Sequence, residues 1–273
     1  MVGGGRPVTV HVPASYTAGH PAPLLIVLHG YGGSGGSQNA YFHLGDAAAR
    51  RDMIIAYPDG TKDHSGSRFW NATDACCNFD GSSVDDSGYL LSVVSAIKAH
   101  VAVDPRRIYF MGHSNGGFMS YRMACDHADV IAAIVSLAGA TFTHPGDCHP
   151  SAPVSILEIH GMADNTIDYN GGSITGPAAG TSVSYPGAQE TVQTWAQYDG
   201  CHPVGSTSSK RVDVDADSGT AAEPAEALVE TWAGCRNAAA VELWTMPGSG
   251  HGPTISKAFA GATLDFLLAH PKA

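Results

Sequence analysis

The sequence predicts an α/β fold, with one mostly parallel central sheet covered by helices on both faces. Two observations carry this. Short, continuously apolar, β-rich runs alternate with helical patterns through nearly the whole chain, the signature of a doubly covered parallel sheet. One of these runs passes through a glycine-flanked turn directly into a helix. No repeat and no linker divides the chain, so residues 1–273 are expected to form a single domain.

Taken in order, Pro7–Pro13 alternates and is closed at both ends by proline, which predicts an edge strand. Leu24–Leu28 is a buried strand that ends in His29-Gly30-Tyr31-Gly32-Gly33. A helix is expected over Gln38–Arg51, with Leu44 and Ala47–Ala49 facing inward. Met53–Tyr57 is the next buried strand. Residues 61–83 are irregular and polar and carry Trp70 and the adjacent Cys76 and Cys77, a surface excursion near the end of a strand where such sheets bind ligands. A helix opens at Val84-Asp85-Asp86, whose acidic first turn suits the helix dipole, and runs to about His100. Arg107–Met111, Ile131–Leu137, Val154–Ile159 and Val241–Met246 are further strands. Helices are expected near Ala188–Tyr198 and over Ile255–His270. Residues 203–226, rich in Ser, Asp, Ala and Gly, are expected to be an exposed insertion whose ends Cys201 and Cys235 would tie together.

Composition limits the function classes. Charged residues are only 14% of the chain and the net charge is −11, so the basic face that nucleic acid or an anionic membrane requires is missing. No apolar run approaches the roughly 18 residues of a membrane span. Six cysteines, none in a CxxC pattern, predict three disulfides and an oxidising compartment. The N-terminus has no apolar core of a signal peptide, so an exported protein is expected here in its mature form. A monomer is expected.

The chemistry centres on Gly112-His113-Ser114-Asn115-Gly116, which fits G-x-S-x-G between a strand and a helix. In that setting the motif is a nucleophile elbow. The turn forces Ser114 into a strained conformation, and a Cβ at either glycine would collide as the strand folds back. A serine hydroxyl needs a base, an orienter for the base and donors for an oxyanion. In elbow-bearing sheets of this kind the partners follow in the order Ser, acid, His. The acid is therefore expected after Val154–Ile159, at Asp164, with Asp168 as the alternative. The base is expected after Val241–Met246, at His251 in a glycine-rich loop. The oxyanion donors are expected to be the backbone N–H groups of Asn115 and Tyr31. His144 and His149 flank Cys148, but no second Cys or carboxylate stands at ligand spacing, so no metal is expected. No cofactor is expected either.

Leu28–Ser34, Trp70-Asn71-Ala72 with Cys76-Cys77, Val84-Asp85-Asp86, Gly112–Gly117, His160–Asp164 and Gly250-His251-Gly252 occur in this order. Together they resemble the extracellular polyhydroxybutyrate depolymerase and feruloyl esterase family of α/β-hydrolases, over almost the whole chain. The resemblance implies an α/β-hydrolase fold without a large cap domain, and a secreted serine esterase in which Ser114, Asp164 and His251 match the family triad. It implies a Cys201–Cys235 disulfide, and that Cys76 and Cys77 are partners of Cys125 and Cys148, with the assignment between them open. His113 stands where several relatives carry another residue. Tyr31, Trp70, His113 and Ile167 are expected to line the substrate pocket. The expected substrate is an ester, possibly polymeric. A polyhydroxybutyrate-type polyester leads, feruloyl or acetyl xylan esters are the alternative, and acyl transfer on the same fold stands behind both.

Overall fold

Alternation within each apolar run decides the architecture. In the computed structural model, which describes residues 1–175, 182–218 and 225–273, β2 (Ala22–Leu28) is buried along its whole length. Leu24, Ile26 and Leu28 enter one apolar cluster and Leu25 and Val27 enter another on the opposite face. A strand's period of two sends successive side chains to opposite faces, so a run with no polar position needs cover on both.

The remaining elements, in chain order, are β1 (Val10–His11), α1 (Gly35–Tyr41), α2 (Leu44–Ala49), β3 (Ile54–Ala56), β4 (Thr61–Lys62), β5 (Arg68–Phe69), α3 (Asp86–Lys98), β6 (Val103–His113), α4 (Asn115–Asp126), β7 (Ala133–Leu137), β8 (Ser155–Gly161), β9 (Gly171–Thr175), β10 (Ser182–Pro186), α5 (Ala188–Tyr198), β11 (Ser206–Val212), β12 (Ala227–Trp232), β13 (Val241–Met246) and α6 (Phe259–Ala269). The main sheet has the order β1-β3-β2-β6-β7-β8-β13-β12-β11. The run from β3 to β13 is parallel, and β1, β12 and β11 add antiparallel edges. Buried residues of α3, α4 and α5 pack on one face, and those of α2 and α6 on the other. Among the described residues no helix is long and apolar enough to cross a membrane.

Three expectations are corrected. The helix expected over Gln38–Arg51 is two helices. The chain turns at His43, whose φ is 55°, so that the wholly buried Phe42 can point into the core. Residues 203–226 do not form a free insertion: Ser206–Val212 pairs with β12 as the edge strand of the main sheet. Its mostly exposed Ser-Thr-Ser-Ser-Lys-Arg sequence lacks the apolar alternation that marks a strand. Part of that span, 219–224, lies outside the described residues, as does 176–181.

The disulfides are the third correction. Cys201 pairs with Cys235 as expected, but Cys125 pairs with Cys148, and Cys76 pairs with its neighbour Cys77. Cys76 Sγ lies 3.5 Å from Asn115 Nδ2, at the first turn of α4. Cys125 is ten residues further on, which is about 15 Å along a helix and beyond disulfide reach. Cys148 instead comes within 5.6 Å of Cys125, Cα to Cα.

Candidate active site

The elbow joins β6, at the centre of the sheet, to α4. Ser114 adopts φ 54°, ψ −122°, a conformation costly for any residue with a side chain. It is held from both sides: its N–H donates to Leu137 O on β7 (2.8 Å), and its carbonyl accepts from Phe118 N–H (3.0 Å). A Cβ on Gly112 would stand 2.2 Å from the Gly116 carbonyl oxygen, and one on Gly116 would stand 2.2 Å from the Leu28 carbonyl oxygen. The first oxygen belongs to the first turn of α4 and the second to the buried strand β2, and neither backbone can yield, so both positions require glycine. Gly30 brings the loop after β2 against the elbow, where an added Cβ would lie 3.4 Å from Ser114 Cβ.

That loop is pinned from beneath. His29 is fully buried. Its Nδ1–H donates to Gly30 O (2.7 Å) and its Nε2 accepts from Gly60 N–H (2.9 Å), so one neutral tautomer satisfies both. Burial lowers its pKa, which keeps it neutral. The N–H groups of Tyr31 and Asn115 have no hydrogen-bond partner among the described residues. An unpaired N–H on a residue as buried as Asn115 is rare and calls for a ligand.

Asp164 follows β8 and His251 follows β13, neighbouring parallel strands, so their loops emerge side by side. Ala163 N–H donates to Ser249 O (3.0 Å) and ties one loop to the other. His251 Nδ1 lies 2.8 Å from Asp164 Oδ2. Asp164 Oδ1 accepts from the N–H groups of Thr166 (2.8 Å) and Ile167 (2.9 Å). Burial opposes ionisation of this carboxyl. The hydrogen bonds from His160, His251 and Thr166 outweigh it and hold the group well below the usual carboxylate range. Asp168, the alternative acid, instead uses its carboxylate to accept from Asn170 N–H nearby.

His113 couples His251 to the turn at Ser114. Its Nε2–H donates to His251 O (2.8 Å), and the two rings are 4.9 Å apart. Burial and the nearby His251 push its pKa down to about 4, so it stays a neutral donor. No hydrogen bond joins the Ser114 hydroxyl to His251 among the described residues. Such contacts are often long without substrate and tighten with it.

Two of the expected pocket residues are packed away. Trp70 is wholly buried; its Nε1–H donates to His29 O (3.1 Å). Its backbone is gripped by the Asn115 amide, with Trp70 N–H donating to Oδ1 (2.7 Å) and Nδ2 donating to Trp70 O (2.9 Å). It is a strut under the loop after β2, packed away from solvent. Ile167 is also buried in the core cluster. Tyr31, by contrast, is 41% exposed. Its hydroxyl donates to Asp63, and its ring meets Phe79 edge-on at 5.3 Å between centroids.

Sequence reasoning missed the bracing of the His251 loop. Ser249 Oγ donates to the buried Asp215 Oδ2 (2.6 Å), Ala216 N–H to Thr254 O (2.7 Å), Ser256 N–H to Val214 O (2.8 Å) and Tyr41 Oη to Pro253 O (2.7 Å). Residues 214–216 come from the stretch expected to be solvent-exposed, and no local pattern marked them. It also missed Tyr121 and Glu158. A lone acidic residue inside the apolar Val154–Ile159 run was the available signal for the latter.

A family model for esterases matches residues 1–253. Feruloyl esterase B of Piromyces equi is 32% identical over 249 residues, covering 90% of this chain and 42% of that protein. A bifunctional acetylxylan esterase/xylanase of Neocallimastix patriciarum is 24% identical over 212 residues, covering 72% of this chain and 29% of its own length. The chain thus spans less than half of either relative. Among solved structures, the acetyl xylan esterase from Aspergillus awamori superposes with a TM-score of 0.64 at 14% identity, covering 95% of this chain and 93% of that one. This likeness bears on the fold, which is of α/β-hydrolase type.

Proposed function

The chain belongs to this esterase family, and from that premise we propose that it is a secreted carboxylic ester hydrolase working through Ser114, His251 and Asp164 and a covalent acyl-enzyme. The observation that carries the reading is the 2.8 Å contact between His251 Nδ1 and Asp164 Oδ2, on a loop that His113 links to the strained Ser114. Asp164 holds the proton on Nδ1 and leaves Nε2 free as the base. Nε2 takes the hydroxyl proton as Ser114 Oγ bonds to the ester carbonyl carbon. The carbonyl oxygen becomes an oxyanion that the Tyr31 and Asn115 N–H groups can stabilise. Collapse breaks the ester C–O bond, and the proton on Nε2 passes to the departing alcohol. Water then attacks the acyl-enzyme and gives its proton to Nε2; collapse breaks the bond to Ser114 Oγ, Nε2 returns the proton to that oxygen, and the acid is released.

The substrate class best supported is a feruloyl or acetyl ester on plant polysaccharide, because relatives carry those names. Tyr31, exposed beside the oxyanion donors and steadied by Asp63 and Phe79, offers a flat aromatic surface for a feruloyl or sugar ring. Polyester hydrolysis keeps the support of the motif set in the sequence. Secretion is supported by three disulfides, which persist in oxidising compartments.

Ser114→Ala is expected to leave the fold intact and lower esterase turnover by roughly three orders of magnitude or more. Retention of near-normal turnover would exclude the proposed nucleophile. Methyl ferulate, acetylated xylan, p-nitrophenyl acyl esters of rising chain length and emulsified polyhydroxybutyrate separate the substrates. Release of ferulate or acetate without clearing of the emulsion is expected. Clearing of the emulsion without ferulate release would favour the polyester instead.

A further inference from the structure

We propose that Glu158 and His160, a buried pair on β8, are positioning residues that hold Asp164 for His251 and set how far into acid the enzyme works. This rests on the Ser114–His251–Asp164 reading. A central strand buried on both faces ordinarily carries apolar side chains, because an ionic pair there must be fully compensated. Glu158 and His160 are nonetheless almost completely buried on β8, two residues apart and so on the same face.

The contacts form one chain that ends at the site. Tyr121 Oη, from α4, donates to Glu158 Oε2 (2.9 Å). Glu158 Oε1 lies 3.0 Å from His160 Nδ1. His160 Nε2 lies 2.8 Å from Ile167 O and 3.4 Å from Asp164 Oδ2. That same oxygen receives His251 Nδ1. Burial raises the pKa of Glu158, and the hydrogen bonds from His160 and Tyr121 oppose that rise. The Ile167 carbonyl can only accept, so Nε2 bears a hydrogen. In the proposed arrangement Glu158 is the carboxylate, which the hydrogen bond from Tyr121 favours, and Nδ1 donates to it as well. His160 is then an imidazolium between two carboxylates. Burial opposes that charge, but the hydrogen bonds to Asp164 and Glu158 prevail and raise its pKa to about 10.

The other titratable groups facing this unit carry no compensating charge near neutrality. His113, at the end of β6, is pushed down to about 4. Burial pushes Tyr121, Tyr169 and Tyr185 up, and the Tyr169 ring meets His160 edge-on at 5.7 Å. His251 is the remaining group. Two consequences follow. Asp164 is gripped on both oxygens and kept in one orientation. The positive charge of His160 also offsets part of the field that Asp164 exerts on His251, which disfavours protonation of the base.

The test is the pH profile of kcat/KM on a soluble p-nitrophenyl ester, for wild type, His160→Gln and Ser114→Ala. In His160→Gln the acid limb, where protonation of the base stops turnover, is expected to move up by about one pH unit. The loss would then be about tenfold on the acid side and recover in alkali. A uniform loss with the limb unmoved, or no change, overturns the proposal while leaving the triad reading intact. Activity surviving in Ser114→Ala overturns the triad reading itself. If His160→Gln does not fold, nitrogen-resolved NMR of the wild-type imidazoles decides. His160 is expected to carry both ring protons from about pH 6 to about pH 9, and a singly protonated ring in that range overturns the proposal.

Discussion

Asn115→Ala isolates the clamp under the elbow. The substitution keeps the backbone N–H at 115 and removes only an amide that is wholly buried. That amide accepts from Trp70 N–H at 2.7 Å and donates to Trp70 O at 2.9 Å. Trp70 is itself wholly buried, so neither of its backbone groups can turn to water. Trp70 N–H loses its partner, at roughly 1–3 kcal/mol, whereas Trp70 O keeps the Cys77 N–H at 3.4 Å and loses one bond of about 1 kcal/mol, so the substitution costs about 2–4 kcal/mol. For a domain of this size that is a fall in Tm of roughly 4–12 °C. Urea unfolding should show a lower midpoint with an unchanged slope. Asn115→Asp should be at least as damaging, because it keeps an acceptor for Trp70 N–H but offers no donor to Trp70 O and buries a charge. Turnover at low temperature should fall far less than in Ser114→Ala, since the N–H at 115 remains. A stability loss under about 1 kcal/mol for Asn115→Ala would refute the reasoning, because a buried two-bond clamp cannot be that cheap.

Two further substitutions test the frame around the site. Gly116→Ala drives a Cβ to within 2.2 Å of the Leu28 carbonyl oxygen, so it is expected to abolish soluble, active protein. Gly36→Ala, on α1 with nothing within 4 Å, is expected to be neutral or stabilising by up to about 1 kcal/mol in a thermal melt. Comparable melting of the two variants would contradict this. Asp199 is buried, its Oδ2 has no partner among the described residues, and burial raises its pKa from 3.8 to about 7. Between those values the folded state binds more protons than the unfolded one, so stability falls as pH rises through the window and stays low above it. Asp199→Asn should therefore stabilise by up to about 4 kcal/mol near pH 8 and by little near pH 4. An equal effect at both pH values would remove the charge as the cause.

Much of the fold was legible because its parallel strands are buried on both faces. A continuous apolar run as short as Leu24–Leu28 is stable in few settings besides a strand covered on both sides. The polar edge strand Ser206–Val212 was not legible. An exposed edge is held by its ladder with β12, and a ladder leaves no mark on composition. The break at Phe42–His43 was hidden for a related reason, since its cause is a core position that the local pattern does not contain.

At the site, residue order was enough to locate the strained Ser114 turn, the glycines that permit it, and Asp164 and His251 after successive sheet strands. Those features follow from local geometry and chain order. Long-range packing made Trp70 a strut, paired Cys76 with Cys77, set residues 214–216 as braces for the His251 loop, and stood Glu158 and His160 behind Asp164. These depend on which distant segments meet and on which buried polar groups need partners. Tyr121 and Glu158 are 37 residues apart, and Ser249 and Asp215 are 34 apart. A hydrogen bond across such a span is fixed by the packing of the sheet and its helices, because neither residue's neighbours in sequence carry any trace of the partner.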